Sequence, residues 1–177
     1  MNLTKTLLAC IVLSMLLVSC GSPGDQTSAR RGFEKRIRDT VDAIWIIDTH
    51  EHLMLEESAM EQGPYDFYWI FKHYLEEDLQ SAGMNSRVKN LITNKNLALS
   101  EKWQIVKPFW ERTMNTGYAM VPKVAARDLY GINEINDDTY EELSRRINEN
   151  MKPGWYRHVL KEKGKIELSI LDGGMRV

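Results

Sequence analysis

The sequence predicts an α/β fold: two parallel strands with a large helical insertion between them. Three observations predict it. Ile44-Trp45-Ile46-Ile47 is a compact β-branched and aromatic run leading into Asp48-Thr49-His50, the pattern of a strand buried on both faces. Ile166-Glu167-Leu168-Ser169-Ile170-Leu171-Asp172 reads as a second strand. About 110 residues with helical periodicity separate the two, against the dozen or so that a simple crossover needs, so the connection holds a helical insertion rather than one helix.

The elements follow in order. Lys5 precedes an almost wholly apolar run, Leu7 to Val18. It is shorter than the roughly 20 residues of a membrane-spanning helix and has the length of a signal-peptide core. Leu17-Val18-Ser19-Cys20, followed by Gly21-Ser22-Pro23-Gly24, resembles the lipobox of bacterial lipoproteins. That resemblance implies a signal peptide over 1–19, lipidation at Cys20 and a flexible tether over 20–32. The alternatives are an uncleaved anchor, or a secretory signal with a chance cysteine. The same resemblance implies, from Gly21 after the cysteine, an outer rather than an inner membrane where the cell has both.

Phe33, Ile37, Val41 and Ile44 recur at helical spacing and predict a short amphipathic helix. After the first strand, Gly63-Pro64 marks a loop. Phe67, Ile70, Phe71, Tyr74, Leu75 and Leu79 form one apolar stripe, with Gly83 as its C-terminal cap. Val88 to Leu99 is a shorter helical stretch. Ser100 is a candidate cap for a helix carrying Trp103, Ile105 and Val106, with a bend at Pro108. Val121 to Leu129 ends at Gly131, and Asp138 with Glu141 marks another helix start. Pro153 begins a last helix, closed by Gly164.

Composition sets limits. Removing 1–19 takes away Lys5, so 22 cations face 25 acids and the formal charge moves from −2 to −3, which argues against a nucleic-acid partner. Of two cysteines only Cys20 would remain, so no internal disulfide forms. Five Trp, seven Tyr and four Phe are ample for one core.

The chemistry concentrates in Asp48-Thr49-His50-Glu51-His52. Side chains two apart on a strand share a face, so Asp48, His50 and His52 point together from the strand's C-terminal end. Two imidazoles there can converge on one cation, with Zn–N contacts of roughly 2.0–2.1 Å. Imidazole also suits Fe, Ni or Co, so the pair alone leaves the metal open. Asp48 is placed to orient an imidazole by a hydrogen bond. In parallel α/β proteins, sites lie at the C-terminal ends of strands.

Ile46-Ile47-Asp48-Thr49-His50-Glu51-His52-Leu53 resembles the first-strand signature of the amidohydrolase superfamily. Phe71-Lys72-His73-Tyr74-Leu75, Asp78-Leu79 and Ser81-Ala82-Gly83-Met84 resemble the following segment in the amidohydrolase-related (type 2) branch and in uronate isomerases. Arg127-Asp128-Leu129-Tyr130-Gly131-Ile132 resembles a later segment of the same two groups. The resemblance implies a partial (β/α)8 TIM barrel over 33–177, with its helical insertion at 54–165. It implies His50 and His52 as ligands of a divalent metal, zinc foremost, and a lipid-anchored, exported hydrolase in which metal-activated water attacks a carbonyl-type carbon of a small substrate. The superfamily's middle-strand and later ligands have no counterpart here. Its catalytic residues are therefore expected beyond Val177, in a longer product of which this chain is the N-terminal part, inactive alone.

Other residues carry two readings each. His73 is a packed helix histidine or faces substrate. Arg127 and Tyr130 bind a substrate carboxylate, or Arg127 forms a salt bridge at a helix end. Asp172 belongs to a site or starts a turn before Gly173-Gly174. His158 reads as a solvated helix residue. Two further functions stand beside hydrolysis: a uronate isomerase-like conversion of sugar acids, favoured by the helical insertion, and a non-catalytic envelope lipoprotein.

Overall fold

A computed structural model describes residues 23–171. The signal segment, Cys20, Asp172 and the C-terminal residues through Val177 lie outside the described residues. So does the expectation of catalytic residues beyond Val177, on which the described residues do not bear. The chain is α/β, mostly helical, with a single two-stranded parallel sheet. It divides into a first unit ending at Ile46 and a second beginning at Ile47. Among the described residues, no helix is long and apolar enough to cross a membrane.

The first unit holds helix α1, Pro23–Ala43, so most of the segment read as a tether is helical. Its stripe of Phe33, Ile37 and Val41 is exposed. Pairs one turn apart run along its surface, Arg30 to Glu34 at 2.8 Å and Lys35 to Asp39 at 2.6 Å, and spacing of this kind supports exposed helices.

Strand β1 is Ile46–Glu51 and strand β2 is Ile166–Leu171. Both strands form where the β-branched runs predict them, but their burial differs from expectation. Ile47 is 59% exposed and Leu168 54%. An apolar run equips a strand to be covered on both faces; it does not supply the covering layer. Within the described residues the helices pack mainly on one another, and β2 rests on the π-helical segment Arg157–Lys163 just before it.

The second unit's helices are α2 (Glu56–Gln62), α3 (Tyr74–Ser81), α4 (Ser86–Ile92), α5 (Leu99–Thr113), α6 (Met120–Tyr130) and α7 (Tyr140–Asn150). The stripe starting at Phe67 is split into a 3₁₀ helix, Phe67–Phe71, and α3. The split falls at His73, whose backbone φ is 65°, a left-handed conformation that cannot continue a right-handed helix. The Asp66 carboxylate caps the 3₁₀ turn, accepting from the Tyr68 N–H at 2.9 Å.

Helix ends obey glycine chemistry. After α3, Gly83 donates to Gln80 and Met84 donates to Leu79 at 3.0 Å, closing a Schellman motif. Gly131 ends α6 with φ 66°. That conformation calls for glycine; a Cβ there would also displace the flexible end of Arg146, 2.9 Å away. Ser100 and Asp138 are not the caps. Helix α5 starts one residue before Ser100, with the Glu101 carboxylate accepting from the Ala98 N–H. Thr139 precedes α7 and uses its hydroxyl on the Asn136 N–H.

The core gathers Phe67, Phe71, Trp103, Trp110, Tyr140, Leu143 and Ile147. Ser144 stitches two elements: its hydroxyl accepts from the Phe67 N–H at 2.9 Å and donates to the Tyr140 carbonyl at 2.7 Å. The Glu56 carboxylate accepts from Gly154 at 3.2 Å and Tyr156 at 2.7 Å. That anchor ties the start of α2 to the segment leading into β2.

On the outer face of α7, hydrogen bonds from Arg145 and then Arg146 hold the Glu142 carboxyl down at about 2. Hydrogen bonds from Lys107 and from the Trp103 indole also lower Asp137. A folded-state pKa below the ordinary 4.5 means that Glu142 pairing stabilises above 4.5 and is lost as pH falls toward 2. The thermal midpoint, followed by far-UV circular dichroism, is expected to decline across that window. Glu142→Gln should flatten the decline modestly, because exposed pairs are screened; an identical pH profile for variant and parent would contradict the assignment.

Candidate metal centre

His50 occupies the end of β1 and His52 lies just beyond it. Both side chains are exposed, and their rings meet edge to face with centroids 4.8 Å apart. The two imidazoles therefore emerge beside one another at the C-terminal end of a parallel strand, close enough to address one cation. The backbone beneath them is pinned by carboxylates. Asp48 Oδ1 accepts from the His50 N–H at 3.2 Å, and Glu51 Oε1 accepts from the His52 N–H at 2.8 Å. Asp48 thus acts on the main chain that carries His50.

Neutral imidazole is a donor that zinc accepts, and a tetrahedral zinc has four positions. His50 and His52 fit two of them. Among the described residues, no group of three or more His, Cys, Asp or Glu is gathered as a metal cage.

The remaining candidates lie elsewhere. His73 is exposed at the start of α3, not packed within a helix. It borders a cleft of about 290 Å³ with Trp69, Tyr74, Tyr118 and Val121, and the Tyr74 and Tyr118 rings stack at 5.3 Å. Arg127 forms a two-pronged pair with its neighbour Asp128, Nε to Oδ1 at 2.6 Å and Nη2 to Oδ2 at 2.8 Å. That pair holds Asp128 below the usual carboxylate range and raises Arg127. Tyr130 is only 5% exposed and packs on Trp155 at 5.7 Å. Burial pushes its phenol up to about 12, against a hydrogen bond from Trp155. His158 stacks on Trp155 and pairs with Glu162 at 2.8 Å.

Three lysines escape the sequence reading. Lys72, Lys95 and Lys102 line one cleft with Tyr65 and Trp69. Lys102 carried the one available signal, a cation beside Trp103 and one turn before Val106 on the core face of α5. The chain matches no family model, no curated protein and no solved structure.

Proposed function

We propose that this chain contributes the first metal-binding strand of a metal-dependent hydrolase of amidohydrolase type, built on a (β/α)8 barrel. The single observation that carries the reading is the His50–His52 ring pair at the C-terminal end of β1, 4.8 Å apart. Strand ends of this polarity are where α/β enzymes place their sites. His50 and His52 would hold the metal, and Asp48 and Glu51 would fix the backbone that aims them. A divalent metal supplies Lewis acidity there, acidifying water and polarising a substrate carbonyl. The test is zinc content after purification with and without the double change His50→Ala/His52→Ala. Equal zinc in both proteins would end the proposal.

The long helical stretch between β1 and β2 favours one second reading, a uronate isomerase-like enzyme. Assaying the longer, metal-loaded product expected from the sequence on glucuronate and on small amides and lactones separates the two.

The same reading places the protein in the cell envelope, tethered through a lipid on Cys20. Intact mass of protein expressed in a bacterial host is expected to show loss of 1–19 and a diacylglycerol-type adduct on Cys20, both absent from Cys20→Ala. An unprocessed N-terminus in the parent would remove the anchor from the proposal.

A further inference from the structure

We propose that the cleft between the 3₁₀ helix and the α4–α5 connection binds a small monocyclic organic anion, its acid group on lysine ammonium groups and its ring against Trp69 and Tyr65. The cleft measures about 290 Å³, at the small end of ligand pockets, which suits one ring and its acid substituents.

Charge is the first support. Three lysines and one carboxylate, Asp66, line the cleft. Asp66 Oδ2 is taken by Lys102 at 2.7 Å. The Lys95 ammonium donates to the backbone carbonyls of Gln62 at 2.5 Å and Gly63 at 3.4 Å, which leaves its charge uncancelled. Lys72 sits over the Trp69 ring at 4.8 Å, a contact that likewise keeps its charge. Among the described residues, neither Lys72 nor Lys95 has a carboxylate within ion-pair distance, so an approaching anion meets two uncompensated ammonium groups.

Burial is the second. Lys102 is 6% exposed, an uncommon setting for a lysine. An ammonium has three N–H donors, and one of them goes to Asp66. Its other donors have capacity for a ligand oxygen, and carboxylate or phosphate oxygens make the strongest partners for a cation.

The wall is the third. Tyr65 and Trp69 lie with ring centroids 4.2 Å apart, tilted by 40°. Trp69 is half-buried and lines the cleft with the Lys72 ammonium over its ring, so a ligand ring packed against this aromatic wall has an ammonium within reach of its acid group. Aromatic pairs of this kind contribute beyond the area they bury.

This inference is independent of the metal proposal, since no residue is shared. Isothermal titration calorimetry of the full chain with phthalate, phenyl phosphate, inorganic phosphate and benzyl alcohol tests it. Saturable binding is expected for phthalate, phenyl phosphate or both, at least tenfold tighter than for phosphate or benzyl alcohol. The double change Lys72→Gln/Lys95→Gln is expected to weaken the ring acids tenfold or more at an unchanged thermal midpoint. If the double variant does not fold, Lys95→Gln, at an exposed position, serves alone with the same expectation. No binding of either ring acid, equal binding of inorganic phosphate or benzyl alcohol, or undiminished affinity in the lysine variant would each overturn the proposal.

Discussion

Replacing Trp103 with alanine is expected to cost folding stability of about 3–5 kcal/mol, the range for deleting a buried aromatic side chain. Trp103 is 1% exposed. It stacks on Tyr140 with centroids 5.2 Å apart and planes within 4°, and meets Phe67 edge-on at 5.3 Å. Its indole N–H donates to Asp137 at 2.7 Å. The change therefore empties the centre of the core, removes two aromatic contacts and takes a donor from a carboxylate. Domains of this kind hold only about 5–15 kcal/mol in total, so the variant should lie close to its unfolding threshold. Urea denaturation followed by far-UV circular dichroism gives the comparison. Trp45→Ala is the control, because Trp45 is 53% exposed and a surface change of this sort stays within roughly 0.5 kcal/mol. Equal midpoints for the two variants would show that the core is not organised around Trp103.

What the sequence made legible, and what it did not, divides by the range of the interactions. Ile46 and Ile47, or Ile166 and Ile170, announce strands because β-branched side chains favour extended backbone locally. Gly83 and Gly131 mark helix ends for an equally local reason, a positive φ that glycine adopts freely. The neighbouring placement of His50 and His52 follows from residue spacing at a strand end, and their rings do lie together. The exposure of Ile47 and Leu168 could not be read, since it depends on whether another layer packs there and not on the strand itself. The break at His73 was also hidden, because a positive φ is uncommon at any residue but glycine and nothing else in the stripe interrupts it. Lys102 and Asp66 lie 36 positions apart, and Tyr130, the last residue of α6, meets Trp155 well beyond that helix. Pairings of that range arise from packing, which periodicity along one helix does not encode.

The largest effect on ligand binding is expected at His50 and His52 themselves. Two imidazoles carried on one strand act as a chelate: once one nitrogen is bound, the second is presented at a high effective concentration. Linked ligands of this kind gain about 10²–10⁴ over either alone, so His50→Ala or His52→Ala should each weaken zinc binding by that factor. The double variant should fall only slightly further, because the chelate is already broken by the first change, and such non-additivity is the signature of residues acting on one ion. Asp48→Asn is expected to cost less, about 10-fold, the lower end of what outer partners of a ligand contribute, since Asp48 reaches the His50 backbone at 3.2 Å and not the metal position. Competition with a chromophoric zinc chelator measures all four proteins. His158→Ala is the reference for a histidine engaged elsewhere, with Trp155 and Glu162. If losses at His50 and His52 simply add, or if His158→Ala weakens zinc as much as either, the two rings do not share a cation.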